Sequence, residues 1–179
     1  MTTRILYLGN LSEALETLSG TSGVVLAAWI HEEESPELRG FCVQRGIPMR
    51  QVRTAEELHR VCAAEQFDLG VICNFGIILR PQTIALAPKG FVNVHLGILP
   101  DYPGRTPVRD AVSANEKVAG ITLHRVTEQV DAGPILAKKT VSVGEGRKDE
   151  LFERLARLVP GILNENLPQI LRPPASASG

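Results

Sequence analysis

An alternation of apolar runs and amphipathic stretches in the first half of the chain constrains its fold most. Residues 5–8, 23–30 and 67–73 are short, nearly continuous apolar runs, which are typical of strands covered on both faces. Between them, residues 11–18 and 36–42 carry apolar side chains at helical spacing. Strands that alternate with helices through short connections predict an α/β domain with a Rossmann-like open, mostly parallel, twisted sheet and helices on both faces.

Capping residues mark the starts of three of the predicted helices. Asn10, followed three residues later by Glu13, predicts the first start. Ser35 with Pro36 at the first helical position predicts the second. The stretch 54–57, TAEE, is typical of a capping box and predicts the third.

The remaining elements are predicted by the same periodicities, and the chain forms a single domain. They are a short strand over 47–52, a helix over 108–114, strands over 120–126 and 135–143, and a helix from about Lys148 that Pro160-Gly161 must kink or interrupt. The 179 residues contain no internal repeat and no linker. We therefore expect one domain over residues 1–171 and a disordered tail over 172–179, which ends in PPASASG.

Composition excludes several classes of function. The chain has a formal net charge of −1, so it lacks the basic excess of a general nucleic-acid-binding surface, and a nucleic-acid partner is not expected. No apolar run approaches the roughly 20 residues that span a bilayer. The N-terminal residues enter a strand pattern without the apolar region of a signal peptide. These features predict a cytoplasmic protein with no membrane partner.

Neither the cysteines nor the first strand-to-helix turn predicts a familiar cofactor site. The three cysteines, Cys42, Cys62 and Cys73, are odd in number and widely spaced, so we expect reduced, buried thiols rather than disulfides or a zinc site. No other metal site is predicted. Residues 9–12, GNLS, lack the G-x-G-x-x-G pattern with which backbone approaches a pyrophosphate, so an NAD cofactor is not expected.

Polar residues at the end of one apolar strand indicate chemistry in the second half. In NVHLGILP, residues 93–100, Asn93 and His95 are two apart and therefore lie on the same face of the strand. Taken alone, each is most often structural, and the later DAGP turn that begins at Asp131 is ordinary turn material. Together, an amide for an oxyanion, an imidazole for proton transfer and a carboxylate beside it are typical of acyl transfer. No serine or cysteine nucleophile lies within either motif, which favours direct transfer between two substrates.

Two longer stretches carry a resemblance to a known family. NVHLGILPDYPGRTP and GITLHRVTEQVDAGPIL resemble the folate-dependent formyltransferases, which include glycinamide ribonucleotide, methionyl-tRNA and amino-sugar formyltransferases. The likeness is clear over about residues 70–143. It implies 10-formyltetrahydrofolate as cosubstrate, no metal, and catalytic roles for Asn93, His95 and Asp131. A substrate amine is expected to attack the formyl carbon, with Asn93 and protonated His95 stabilising the oxyanion and Asp131 supporting His95.

The resemblance also implies the folate-binding residues. The segment NFGIIL is similar to the family loop that holds the pteridine ring, largely through backbone groups, and the loop before Asp131 is similar to its second wall. The predicted folate-binding residues are Phe75, Gly76, Ile77, Ile78, Leu79 and Val130. Without the resemblance, the preferred interpretation of this segment is a strand end that enters the apolar core.

Departures from the family pattern bear on the amine acceptor. Gly97 stands where many relatives carry serine, and residues 9–12 lack the Gly-x-Gly-Ser-Asn phosphate loop of the purine enzyme. The tRNA enzyme is expected to add a C-terminal domain, and a net charge of −1 suits tRNA poorly. We therefore expect a small-molecule amine, either an amino sugar nucleotide or an amino-acid-like precursor. Gly97, Arg105 and Arg109 are the predicted contacts to it, although both arginines also fit solvated loop positions.

Other interpretations remain open at the level of sequence. Related hydrolases share these motifs, so water could replace the amine, and phosphoribosylglycinamide formyltransferase is a further alternative. The non-enzymatic alternative is a module that binds folate or a protein partner without catalysis. His124 is expected to be a strand residue beside the cleft. The oligomeric state is not determined by the sequence, and a homodimer is compatible with it.

Overall fold

The computed structural model of the protein describes residues 2–33, 35–144 and 148–172. These residues form one seven-stranded sheet with helices on both faces, which confirms the predicted fold class. Residues 173–179 of the predicted tail lie outside the described residues. The strands are β1 Thr3–Gly9, β2 Val24–His31, β3 Met49–Gln51, β4 Leu69–Cys73, β5 Phe91–His95, β6 Val118–Arg125 and β7 Ile135–Ser142.

The order of the strands locates the edge at which a ligand is expected. The sheet runs β3-β2-β1-β4-β5-β6-β7. The first five strands in this order pair in parallel, whereas β6 and β7 pair antiparallel. The chain moves outward from β1 to β3 on one side and from β4 to β5 on the other, so the order reverses between β1 and β4. Ligands of open α/β sheets bind at such a reversal, beyond the carboxyl ends of the strands.

Helices cover both faces of the sheet. They are α1 Ser12–Gly20, α2 Pro36–Arg45, α3 Ala55–Ala64, α4 Pro81–Ile84, α5 Pro107–Ser113, α6 Lys148–Ala156 and α7 Val159–Ile170. Pro160 lies in the first turn of α7 and separates it from α6, as predicted. The short helix α4 was not predicted, because four residues are too few to show a helical period.

Two of the three predicted helix caps are confirmed. Ser35 Oγ accepts a hydrogen bond from the Leu38 N–H, and Thr54 Oγ1 accepts one from the Glu57 N–H. The prediction for Asn10 was wrong: Leu11 occupies the N-cap of α1, and no side chain caps this helix. The Oδ1 of Asn10 instead accepts a hydrogen bond from Asn74 Nδ2 at 2.6 Å. A tertiary contact at the ligand-binding edge has therefore replaced local capping.

The core consists of two hydrophobic clusters, one on each side of the sheet. Along β1, Ile5 and Tyr7 belong to one cluster and Leu6 and Leu8 to the other, so both faces of this central strand are buried. The continuous apolar run that predicted a covered strand follows from this arrangement. No helix within the described residues is both long and apolar enough to cross a bilayer.

The cysteines are free and buried, as predicted. Burial raises the pKa of Cys42 to about 11 and that of Cys62 to about 12, and it raises the pKa of Cys73 as well. The three thiols are therefore neutral near pH 7, and their position in the core makes them structural residues.

Candidate active site

Asn93 and His95 lie at the carboxyl end of β5, and both line a cavity of about 450 Å³. His124 and Thr122 on β6 pair with them across the antiparallel ladder. Because the two residues are two positions apart on one strand, their side chains share the face that opens to the cavity. The structure thus places an amide and an imidazole side by side at the edge where ligands of this fold bind.

The turn that follows His95 is held by buried polar contacts from β6 and β7. The Thr122 hydroxyl donates to the Gly97 carbonyl at 2.7 Å and accepts from the Leu99 N–H at 3.1 Å. Lys138 Nζ donates to the Leu99 carbonyl at 2.5 Å. These three hydrogen bonds fix the path of the chain as it leaves β5, and they therefore restrict how His95 can move.

Asp131 reaches the same place from the loop between β6 and β7. Its Oδ2 lies 3.8 Å from His95 Nδ1, and its backbone has a φ of 52°, a left-handed conformation that aspartate tolerates better than most residues. Gly133 allows this tight loop, since a Cβ there would lie 1.8 Å from the Arg125 carbonyl oxygen. The structure brings the three predicted residues of the acyl-transfer set together.

His124 lies next to both Asn93 and Asp131. Its Nδ1 lies 2.9 Å from the Arg125 carbonyl, which only accepts, so Nδ1 carries the proton. Burial lowers the pKa of His124 more than the nearby Arg125 carbonyl and Asp131 raise it, so the ring is neutral at pH 7. The bare Nε2 then accepts from Asn93 Nδ2 at 3.2 Å. His124 Nε2 lies 3.6 Å from Asp131 Oδ1, but the neutral ring forms no ion pair with this carboxylate.

The sequence analysis missed the contacts that the loop after the β5 turn makes with this set. His95 Nε2 lies 2.6 Å from the carbonyl oxygen of Tyr102, and the Gly104 N–H donates to Asp131 Oδ2 at 2.7 Å. Both contacts use backbone groups of the loop, which carry no signal in residue type. The motif YPGR predicted a loop here but not its contact with two reactive side chains.

The residues predicted to bind folate occupy two loops with unequal exposure. Phe75 and Gly76 line the cavity directly after β4. Ile78 is 59% exposed and Val130 is 50% exposed, an unusual condition for large apolar side chains. Leu79 is only 7% exposed and belongs to the hydrophobic core, so its side chain is not available to a ligand. Ile77 is half-buried against the same core.

Of the three residues predicted to contact the acceptor, two line the cavity and one does not. Arg105 and Arg109 line the cavity, as does Lys148 from the start of α6. Arg109 also donates to Thr106 Oγ1 at 2.9 Å. Gly97, in contrast, is buried and does not line this cavity, because the loop after the β5 turn covers it.

An acidic side of the cavity was not predicted. Glu32 and Glu33 follow β2 and line the cavity together with Asn10. The Glu32 carboxylate accepts a hydrogen bond from the Gly76 N–H, which ties the end of β2 to the loop after β4. A Cβ at Gly76 would lie 2.8 Å from Arg105 Nη2 and 3.0 Å from Glu32 Oε1, so acidic and basic side chains approach each other over this glycine.

The described part of the chain holds no cluster of three or more His, Cys, Asp or Glu side chains arranged to bind a metal ion.

A known family and several known proteins match most of the chain. The family described as "Formyl transferase" matches residues 30–166. A methionyl-tRNA formyltransferase of Chloroflexus aggregans is 32% identical over 184 residues, which cover 94% of this chain and 60% of that protein. A methionyl-tRNA formyltransferase of Methylococcus capsulatus is also 32% identical, over 92% of this chain and 58% of its own length. The chain thus spans about 60% of the length of these curated relatives.

Solved structures share the fold. A phosphoribosylglycinamide formyltransferase from Anaplasma phagocytophilum superposes with a TM-score of 0.81 at 26% identity, covering 93% of this chain and 86% of that one. A formyltetrahydrofolate deformylase from Pseudomonas syringae superposes with a TM-score of 0.81 at 24% identity, over 93% of this chain and 60% of its own, a likeness of fold alone. The family match covers most of the chain and includes all three residues of the acyl-transfer set. The chain therefore belongs to the folate-dependent formyltransferase family.

Proposed function

We propose that this chain transfers the formyl group of 10-formyltetrahydrofolate directly to a primary amine of a small molecule, and that residues 1–171 form its catalytic domain. The observation that carries the proposal is the convergence of Asn93, His95 and Asp131 at one end of the sheet, with the first two facing a 450 Å³ cavity. A cavity of this size accommodates a small organic substrate.

The chemistry follows from the donors that face the cavity. The amine nitrogen bonds to the formyl carbon, and the carbonyl oxygen becomes an oxyanion. Asn93 Nδ2 has two N–H groups, of which one is directed to His124, so the other is available to the oxyanion. Protonated His95 donates the second hydrogen bond through its Nε2–H, which turns from the Tyr102 carbonyl to the oxyanion, while Nδ1 faces Asp131 at 3.8 Å. Collapse of the intermediate breaks the bond to the folate nitrogen, which receives the proton that the amine has lost.

Exposed apolar side chains support the predicted folate site. Ile78 and Val130 each expose half or more of their surface, and a flat heteroaromatic ring that covers them removes this surface from water. The backbone N–H and C=O groups of residues 75–79 lie in a loop outside regular structure, so they are free of ladder hydrogen bonds. These features fit the implied contact through backbone groups.

The cations at the cavity support an acceptor with an anionic group. Arg105, Arg109 and Lys148 line it, and guanidinium groups bind carboxylates and phosphates through paired hydrogen bonds. Amino sugar nucleotides and amino-acid-like precursors both combine a primary amine with such an anion.

A methionyl-tRNA acceptor is the second candidate, because curated relatives at 32% identity are methionyl-tRNA formyltransferases. The further alternatives are hydrolysis of formyltetrahydrofolate, formylation of phosphoribosylglycinamide, and folate binding without catalysis. The same cations suit the phosphates of tRNA, so the charge of the cavity alone does not separate the two leading acceptors.

The test is incubation of the protein with 10-formyltetrahydrofolate and a panel of acceptors. The panel contains amino sugar nucleotides, amino acids, glycinamide ribonucleotide and methionyl-tRNA, and mass spectrometry detects a formyl adduct. An adduct on a small amine supports the proposal, and one on methionyl-tRNA alone supports the second candidate. Folate turnover without any adduct identifies a hydrolase, and no turnover together with folate binding identifies a non-catalytic module. The His95→Ala variant serves as the inactive control.

Calorimetry tests the cosubstrate independently of the acceptor. We expect tetrahydrofolate to bind and NADH not to bind, since the turn over residues 9–12 lacks the dinucleotide pattern. Binding of NADH without binding of tetrahydrofolate contradicts the assignment.

A further inference from the structure

One loop of the protein contacts both members of the His95–Asp131 pair. The Tyr102 carbonyl lies 2.6 Å from His95 Nε2, and two residues later the Gly104 N–H donates to Asp131 Oδ2 at 2.7 Å. That carboxylate oxygen is also the one nearest to His95 Nδ1. A single stretch of backbone therefore fixes the histidine from one side and the aspartate from the other.

These contacts determine where His95 carries its proton. A carbonyl oxygen only accepts hydrogen bonds, so the His95 Nε2 facing Tyr102 is protonated in the neutral ring. When the ring is charged, the second proton on Nδ1 faces Asp131. His124 is the other titratable group nearby, with its ring centroid 6.4 Å away. The Tyr102 carbonyl thus selects the tautomer of the free protein.

Gly97 makes room for the loop to approach this closely. A Cβ at this position would lie 2.5 Å from the Pro107 Cβ, 2.8 Å from the Tyr102 carbonyl oxygen and 3.0 Å from His95 Nε2. Two of these neighbours are backbone or ring atoms that cannot rotate away. Any larger residue at position 97 therefore displaces the Tyr102 carbonyl from His95.

The Tyr102 side chain anchors the loop at its other end. Its hydroxyl donates to Glu116 Oε1 at 2.5 Å, and the Glu116 N–H in turn donates to the Ala111 carbonyl at 3.1 Å. The hydrogen bond to Glu116 raises the pKa of Tyr102, which keeps the phenol protonated as a donor. The Tyr102 N–H donates to the Ile98 carbonyl at 2.9 Å. The residue whose carbonyl holds His95 is consequently fixed at its side chain and at its backbone nitrogen.

We propose that Tyr102 and Glu116 are positioning residues: their side-chain hydrogen bond holds the 102–104 loop so that its backbone orients His95 and Asp131. The proposal rests on the proposed function only for its effect on turnover. The orientation of His95 itself is measured in the free protein, without any substrate.

The test is nuclear magnetic resonance of protein labelled with ¹⁵N in its histidines. The His95 signals are assigned from their loss in His95→Gln, and the ring-nitrogen shifts report which nitrogen is protonated. Wild type is compared with Tyr102→Phe, Glu116→Ala and Glu116→Gln at a pH where the ring is neutral. Glutamine retains an acceptor oxygen for the phenol, so Glu116→Gln is the conservative control, and Glu165→Ala removes another exposed glutamate that pairs with Lys139.

We expect Tyr102→Phe and Glu116→Ala to move His95 from pure Nε2 protonation toward a mixture of tautomers, while Glu116→Gln and Glu165→Ala keep the wild-type spectrum. Gly97→Ala is expected to produce the same change by direct displacement of the carbonyl. If Tyr102→Phe and Glu116→Ala keep the wild-type His95 signals, the proposal is overturned. A lowered melting temperature with unchanged His95 signals also overturns it, because the contact is then merely structural.

Turnover gives the second readout. Loss of this hydrogen bond releases the loop that orients His95, so we expect kcat to fall about threefold to tenfold in Tyr102→Phe and Glu116→Ala. The KM for 10-formyltetrahydrofolate is expected to stay at the wild-type value, and Glu116→Gln is expected to retain kcat. If the protein formylates no acceptor but the variants change the His95 signals, the positioning role is supported. Only the proposed function is then overturned.

Discussion

The exposed apolar side chains of the loops predicted to bind folate and the charged side chains that line the cavity form two different kinds of surface. The folate loops expose large apolar side chains, with Ile78 59% and Val130 50% exposed. The charged side chains at the cavity are Glu32 after β2, Arg105 in the loop after the β5 turn, and Arg109 on α5. The first kind of surface favours a flat ring through loss of hydrated apolar area, which is not directional. The second requires a partner with charges in particular places.

This difference explains why one substrate of the family is easier to infer than the other. An apolar surface accepts one class of cosubstrate with little dependence on exact geometry. Charged side chains select an acceptor by the arrangement of its anion and its amine, and that arrangement depends on loops of irregular structure. Variants that affect only one set of loops should therefore separate folate binding from acceptor binding.

The largest effect is expected from the two proposed catalytic residues, His95 and Asp131. His95→Ala or Asp131→Ala should lower turnover by at least about a hundredfold, the usual scale for an acid–base group. Binding of tetrahydrofolate, measured by calorimetry, should change little in His95→Ala, because His95 lies outside the folate loops, whereas Asp131 directly follows Val130 in one of them. His59→Ala, in a half-buried histidine of α3, is the matched control. Near-normal turnover in both variants contradicts the proposed mechanism.

The next effect tests the apolar loops alone. Ile78→Ala should weaken tetrahydrofolate binding by about tenfold, because burial of an isoleucine side chain contributes about 1.5–3 kcal/mol and part of it is lost. At saturating folate, kcat should remain unchanged. Val43→Ala provides the control, since Val43 is 64% exposed on α2. If both variants bind folate like wild type, the exposed apolar surface has another purpose.

A smaller effect is expected in the charged loops. Arg105→Ala should raise the KM for an anionic acceptor by about fivefold, less than a buried charge-assisted hydrogen bond contributes because Arg105 is exposed, and should leave folate binding intact. Arg157→Ala, which changes an exposed residue directly after α6, is the control. If the KM for folate rises equally, Arg105 contributes to the binding of both substrates. The proposed separation of folate binding from acceptor binding is then wrong.

The sequence predicted the sheet well because the signals for strands and helices are local. The apolar run at 67–73 contains the buried strand β4, and the polar pair Asn93 and His95 at the end of β5 lies at the edge of the sheet that carries the cavity. Local signals failed where a distant group competed with them. Asn10 has the chemistry of a helix cap, but Asn74, brought to it by the neighbouring strand, takes its side-chain oxygen.

Other features of the site carry no signal in residue type. The Tyr102 carbonyl and the Gly104 N–H act through backbone, and any residue supplies these groups. Ile78 and Leu79 are adjacent apolar residues in an irregular loop, so no period tells which one faces the core. His124 had a signal that could have been used: it shares a strand face with Thr122 in an otherwise apolar run.

The smallest expected effect concerns the neutral imidazole ring of His124. The folded-state pKa of His124 lies below the unfolded value of about 6.5, so the unfolded chain binds more protons in that range. The stability that the neutral ring contributes is thus complete above about pH 6.5 and is lost as the pH falls through the folded pKa. His124→Gln should therefore show a shallower loss of unfolding free energy on acidification than wild type, measured by urea titration at a series of pH values. Parallel curves for the two proteins mean that the pKa of His124 is the same in the folded and the unfolded chain. A steeper loss in His124→Gln than in wild type means that His124 is protonated in the fold. In that case its Nε2 donates to Asp131, and Asn93 no longer receives its orientation from a bare ring nitrogen.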